Sequence, residues 1–328
     1  MIRQEKKYDV IILTHAPNSD LMNSIVRLLD QTVVPDTIII YNTDEEKLDW
    51  NIKSEGGLTL DECLNGRNAS KFIVVHIKES DFDHGKARND ASKLSSSKYI
   101  LFMTDDAIPY HREMCEKMMQ AFEKYDDKTS KVATVYARQI PKNDATLKER
   151  FVREYNYPDY DIIKEKAKEK ELGIKNYYCS NVCAMYDRDI FNKLGYFEEN
   201  IILNEDTFYV YNAINKGYKI VYCSEAKVLH SHNLSFKEQF NRNFDIGVSQ
   251  RERREIFDKI PSAKEGKKMV VNVSKRLLKG FHIVEFTSFI IECIYRYMGF
   301  KIGYSFEKLS LDKCIKYASN KNYFIKKK

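Results

Sequence analysis

Hydrophobic residues in the first half of the chain fall into short unbroken runs. Tyr8-Asp-Val-Ile-Ile-Leu-Thr14, Thr37-Ile-Ile-Ile-Tyr41, Lys71-Phe-Ile-Val-Val-His76, Lys98-Tyr-Ile-Leu-Phe-Met103 and Val132–Arg138 each have strand length and β-branched or aromatic content. Strands that are apolar on both faces need cover on both sides. The segments of helical character between them, Ser19–Asp30 and Gly85–Leu94, can supply it. The pattern predicts an α/β protein with a mostly parallel, Rossmann-like sheet and helices on both faces. Ligands of such sheets sit beyond the carboxyl ends of the strands. The polar residues there are Thr14, Asn42, the Asp81–Asn89 segment and Asp105–Asp106.

The second half is less regular. Residues 144–175 are charged, contain Tyr155-Asn-Tyr-Pro158, and read as an inserted helical or loop region. Tyr177–Tyr186 is strand-like, and Glu205–Lys216 helical. Strands follow at Tyr218–Tyr222 and Ala226–His230, then a long polar helix over Ser235–Asp258. The chain after Pro261 differs in kind, which divides it into residues 1–260 and 261–328.

Charge sharpens that division. The net +6 of the 328 residues is uneven: Gly266–Lys328 holds 14 Lys/Arg against 4 Asp/Glu, and the remainder is slightly acidic. A basic balance confined to one end argues against a nucleic-acid binder. Met1–Lys7 is charged with no apolar run of signal-peptide length behind it. Seven cysteines without CxxC spacing suit reduced thiols in a cytosolic protein, which makes the Asn68-Ala-Ser70 sequon irrelevant.

Three polar clusters are candidates for chemistry. No GxxxxGK[ST] or GxGxxG loop is present, so a bound diphosphate would need another neutraliser, such as a divalent cation. Asp105-Asp106, directly after a buried strand, can offer one carboxylate to a metal and the other to a ribose hydroxyl. It could equally cap a helix starting near Pro109. Glu205-Asp206 opens a helix, where a carboxylate can serve as general base or merely favour the helix dipole. His230-Ser-His232 follows a strand with both imidazoles on one side, fit for a borderline cation such as Mn²⁺ or simply exposed.

The order of these clusters, together with several longer phrases, resembles the inverting family 2 glycosyltransferases of GT-A fold, in their rhamnosyltransferase-like branch. The phrases are Val10–Thr14, Phe82-Asp-His-Gly-Lys-Ala-Arg-Asn89, Phe102-Met-Thr-Asp-Asp-Ala-Ile-Pro109, Tyr136–Pro141, Tyr155–Pro158, Cys179-Ser-Asn181, Glu205-Asp206, His230-Ser-His232 and Phe244-Asp-Ile-Gly247. They span residues 8–250. The resemblance implies a donor site at Thr14, Asn42, Asp83, Arg88 and Asp105, with Asp83 and Arg88 at the base or diphosphate. It implies Mg²⁺ or Mn²⁺ at Asp106 and His230, with His232 the lesser ligand. Thr104 stands first in the family's DxD, a departure that keeps metal ligation by Asp106 but not the ribose contact of a first Asp. Asp206 matches the general base, expected to be ionised at neutral pH without a raised pKa. Glu205 stands beside it, and Ser180 and Asn181 face the acceptor.

The activity implied is transfer of a sugar, foremost L-rhamnose from dTDP-rhamnose, to a surface polysaccharide or its lipid-linked precursor. The alternatives are the same chemistry with a UDP-hexose, or a non-catalytic membrane-associated scaffold. The tail carries Phe281–Phe300, apolar but interrupted by Glu285, Glu292 and Arg296. That suits an amphipathic helix on an anionic membrane, or a hairpin packed on the body or on a second copy, better than a span. A cytoplasmic enzyme, peripheral on the inner face of the cell membrane, is the expectation.

Overall fold

The computed structural model describes residues 7–66, 70–260 and 263–327. Asn68, Met1–Lys6 and Pro261 lie outside the described residues. Nine strands form one sheet: β1 (Tyr8–His15), β2 (Thr37–Thr43), β3 (Lys71–Ile77), β4 (Tyr99–Thr104), β5 (Ile108–Pro109), β6 (Val132–Ile140), β7 (Ile162–Lys164), β8 (Cys183–Asp187) and β9 (Lys219–Leu229). The order is β3-β2-β1-β4-β8-β6-β9-β5, with β7 also on β9.

The half built from β3, β2, β1 and β4 is parallel throughout. Alternate residues go to opposite faces, so Val10 and Ile12 join one core and Ile11 and Leu13 the other. Helices α1 (Ser19–Leu29), α2 (Leu60–Asn65), α3 (His84–Ser92) and α4 (Met114–Tyr125) connect these strands and lead to β6.

The structure adds detail to the second half in three respects. The sheet is mixed, because β8 runs antiparallel between β4 and β6. Of the strand expected over Tyr177–Tyr186, only Cys183–Asp187 forms, and Asn181-Val182 is a turn at its start. Tyr218–Tyr222 and Ala226–His230 form one bulged strand: its pairing with β6 jumps from Ala137–Cys223 to Arg138–Lys227. Residues after β6 form α5 (Leu147–Asn156) and α6 (Glu169–Leu172); α7 (Arg188–Leu194) and α8 (Glu205–Asn215) follow β8.

The chain ends in helices: α9 (Phe236–Glu252), α10 (Arg254–Phe257), α11 (Ala263–Lys279), α12 (Ile283–Gly303), α13 (Leu311–Tyr317) and α14 (Lys321–Ile325). Glycines let α9 and α12 touch backbone to backbone. A Cβ on Gly299 would lie 2.2 Å from the Phe240 carbonyl oxygen, and one on Gly247 2.3 Å from that of Phe300. Glu292 is turned inward to this contact, where Gln239 and Lys148 (Nζ to Oε2 2.7 Å) satisfy it. It therefore does not interrupt the outer face, which exposes Val284, Ile291, Ile294 and Met298. Beyond α12 the chain folds back, and Ala318, Tyr323 and Phe324 pack on Ile202, Phe244 and Val248. No helix among the described residues is long and apolar enough to cross a membrane.

Candidate active site

The end of β4 presents Thr104, Asp105 and Asp106 to a cleft. Neither aspartate caps the next helix: β5 intervenes, and the residue before α4 is Glu113. Thr104 Oγ1 donates to Asp106 Oδ1 at 2.7 Å, which orients the other oxygen. That oxygen, Oδ2, lies 3.3 Å from Nε2 of both His230 and His232, just past the end of β9. The side-chain amide oxygen of Gln139 (2.9 Å) and Nη1 of Arg153 (3.2 Å) both face His230 Nδ1, which leaves Nε2 toward Asp106. Burial pushes the His230 pKa down to about 4, so the ring is neutral. Burial also works to raise Asp106, but His230, Thr104 and His232 outweigh it and hold the carboxyl well below its usual range. A carboxylate and two imidazole nitrogens within 4.8 Å of one another are a donor set that fits a divalent cation.

The expected donor-site residues divide. Thr14 and Asp105 meet at the ends of β1 and β4, Thr14 Oγ1 donating to Asp105 Oδ2 at 2.8 Å, and burial raises Asp105 to about 6. Asn42 is fully buried and donates to the Asp44 carbonyl, while its Oδ1 has no partner among the described residues. Asp83 and Arg88 are employed otherwise than expected. Asp83 caps α3, with Oδ1 accepting from the Lys86 amide and Oδ2 from the Asn200 amide. Arg88 is buried, and its Nη1 lies 3.1 Å from both the His84 carbonyl and Glu205 Oε1. Both side chains brace the site, and neither stands free for a diphosphate.

Glu205 and Asp206 open α8, so the helix-dipole reading holds alongside the chemical one. Asn204 enters the helix in the left-handed region (φ 74°), and its side chain donates to Ser249 Oγ. Glu205 also accepts from Asn181 Nδ2 at 3.1 Å, while Asn181 Oδ1 accepts from the Tyr186 hydroxyl at 2.7 Å. Asp206 accepts from the amides of Asn181 (3.2 Å) and Thr207 (2.6 Å). Ser180 accepts from Gln139 Nε2, which ties the Asp206 side of the site to the histidine side. The expectation of an ordinary pKa for Asp206 is corrected. Burial, then the Glu205 charge, raises it to about 7, while Arg88 and His84 overcome burial to keep Glu205 lowered.

Two cavities flank the start of α8. One, about 690 Å³, is bounded by His15 and Thr43 at the ends of β1 and β2, Ile202, Leu203 and Arg242. The other, about 430 Å³, is lined by Tyr136, Tyr160, Lys164, Tyr178, Asn204 and Thr207. Ile202 and Leu203 face the first cavity and Asn204 and Thr207 the second, while the buried Asp206 lies in the same first turn of α8. Two basic residues in these walls were missed from the sequence. Arg242, exposed within the first cavity, has no hydrogen-bond or ion-pair partner among the described residues. Lys164, 2% exposed, lies 4.7 Å from the Tyr136 ring centre, and burial brings its pKa down to about 7. Neither has a sequence signal: Arg242 belongs to a polar helix, and Lys164 to a charged stretch.

Residues 9–195 match the family model for Glycosyl transferase family 2. The chain is 35% identical over 268 residues to the O-antigen chain rhamnosyltransferase WbaN of Salmonella anatum, covering 80% of this chain and 82% of the relative. It is 32% identical over 322 residues to the O-antigen chain rhamnosyltransferase RfbN of Salmonella typhimurium LT2, covering 97% and 96%. Among solved structures, the mannosyltransferase PcManGT from Pyrobaculum calidifontis, in complex with GDP-Man and Mn²⁺, superposes with a TM-score of 0.57 at 11% identity. That match covers 92% of this chain and 88% of the other. S. aureus TarS 1-349 gives 0.53 at 15%, covering 98% and 80%. The structural likenesses establish the GT-A fold. The chain belongs to glycosyl transferase family 2 and is a glycosyltransferase.

Proposed function

We propose that this family 2 glycosyltransferase moves L-rhamnose from dTDP-rhamnose, with inversion, onto a hydroxyl of a cell-surface polysaccharide or its lipid-linked precursor. The choice of sugar is supported by two relatives named as O-antigen chain rhamnosyltransferases, one aligned over 97% of this chain. The observations that support the mechanism are the Asp106, His230 and His232 cluster at the strand ends and the buried Glu205-Asp206 pair that opens α8.

In this reading the larger cavity takes the nucleotide sugar and the tyrosine-lined one the acceptor. Mg²⁺ or Mn²⁺ held by Asp106 and His230, with His232, would offset negative charge on the departing diphosphate. Arg242, rather than Arg88, is the free cation for that diphosphate. The Asn181 and Thr207 amides hold Asp206 in place to take the proton of the acceptor hydroxyl. The oxygen attacks the anomeric carbon from the face opposite the leaving group. The carbon–oxygen bond to the phosphate breaks, and its electron pair leaves with the nucleoside diphosphate. A base with a pKa near 7 is matched to proton transfer at neutral pH, and the Glu205 charge contributes to that match. Tyr136, Tyr160 and Tyr178 offer rings and hydroxyls suited to sugar faces and edges.

Residues 1–260 act as the catalytic domain, and 261–328 as a helical extension. The exposed apolar face of α12, with the basic residues around it, is proposed to rest on an anionic membrane surface at the cytoplasmic side. A second copy covering that face is the alternative occupant. Thermal-shift measurements with dTDP, UDP and GDP, each with and without Mn²⁺, test the donor. Metal-dependent stabilisation strongest with dTDP supports the proposal. Preference for UDP moves it to a UDP-hexose, and no response to any nucleotide rejects glycosyl transfer.

A further inference from the structure

The larger cavity is not bounded by the catalytic body alone. Its outer side is Ser319–Asn322, from the far end of the chain. That segment is tied to three separate walls of the same cavity. Asp245 Oδ2, on α9, accepts from the amides of Ser319 (3.1 Å) and Asn320 (2.9 Å). Asn320 Nδ2 donates to the Ile202 carbonyl, just ahead of Glu205. Asn322 Nδ2 donates to the Glu79 carbonyl at 3.2 Å, and Lys326 Nζ to the Phe82 carbonyl at 2.9 Å, both in the turn after β3. Beneath these tethers Ala318, Tyr323 and Phe324 are buried against Ile202, Phe244 and Val248. The segment is thus built into the site and does not merely trail across it.

Asp245 itself points to a ligand. It lines the cavity, is 3% exposed, and its Oδ1 is buried without a partner among the described residues. Buried carboxylate oxygens nearly always accept a hydrogen bond, and a lone one next to a cavity calls for a donor that arrives with a ligand.

We propose that Ser319–Asn322, fixed by Asp245, is the outer wall of the donor site, against which the nucleoside portion of the nucleotide sugar packs. This rests on the glycosyl-transfer reading and adds to it. The C-terminal segment would then belong to the catalytic site itself, apart from any role of α12 at a surface.

The test uses the full chain. Asn322→Ala combined with Lys326→Ala removes two tethers without touching the buried cluster. The donor KM rises about tenfold while the acceptor KM stays within about twofold. In parallel, Ser319→Cys, exposed at the cavity, is labelled with a small maleimide. Lys313→Cys, exposed on α13 and away from the cavity, is the control. The nucleoside diphosphate that stabilises the wild type, added with Mn²⁺, slows labelling at position 319 and not at 313. If the wild type is stabilised but labelling at 319 is unchanged, or the double variant keeps its donor KM, the segment is no part of the donor site. If dTDP, UDP and GDP all fail to stabilise the wild type, the glycosyl-transfer reading falls and this inference with it.

Discussion

Replacing Glu205 by Gln removes a charge that the structure holds beside the proposed base. Asp206 stands raised from 3.8 to about 7, first through burial and second through Glu205. Burial is the larger part and survives the substitution. A like charge at close range is worth about 1 to 4 kcal/mol between bulk water and a protein surface, and the Arg88 pairing offsets part of it. Loss of Glu205 should therefore lower the Asp206 pKa, and the freed Arg88 cation acts in the same direction. The ionised carboxylate is the active form, so the acid limb of the pH–rate profile moves to lower pH. The assay is kcat against pH between 5 and 9 with donor saturating, where the limb reports the enzyme–substrate complex. The wild type should lose activity as pH falls through about 7, and Glu205→Gln at a lower pH, with a lower plateau because the base is weaker. A limb that stays in place or moves upward would refute the coupling of these two carboxylates.

Other predictions concern the metal, the packing and the surface. Asp106→Ala should abolish stimulation by Mn²⁺ together with nearly all activity, and His230→Ala should weaken metal affinity by about 10- to 100-fold or more. Metal titrations of initial rate check both, and full EDTA-sensitive activity in Asp106→Ala would place the ion elsewhere. Gly299→Ala puts a methyl 2.2 Å from the Phe240 carbonyl oxygen and should cost about 1–3 kcal/mol, seen as a lowered Tm. Val284→Glu with Ile294→Glu leaves every buried contact intact and should abolish flotation with anionic liposomes. If the wild type does not float but sediments as a dimer that the double variant dissociates, a second copy covers α12 instead.

What could be read from the sequence was the part specified locally. Unbroken apolar runs marked β1 to β4, and a strand's end is where its next polar residue emerges. Asp106 and His230 could thus be singled out before their meeting was seen. The other features depend on contacts distant along the chain. Arg88 reads as a free cation until folding places it against Glu205, more than a hundred residues later. The antiparallel insertion of β8 leaves no trace in a strand's own composition. Asp206 looked like an ordinary carboxylate because its pKa is set by burial and by Glu205, neither of which is a local property. The tail was judged by its charge and aromatic content, which describe its outer face. The glycines that join it to α9, and the tethers that bring Ser319 and Asn320 to Asp245, belong to its inner one.

The central claim is that Asp206 acts as general base in an inverting sugar transfer. The most direct measurement is nuclear magnetic resonance of the product formed from dTDP-rhamnose and a hydroxyl acceptor, with the wild type and with Asp206→Asn. The account predicts a glycosidic linkage of anomeric configuration opposite to the donor's. It also predicts a turnover loss of about 10²- to 10⁴-fold in the variant, with donor binding nearly intact. Retention of configuration, or near-normal turnover by Asp206→Asn, would contradict it.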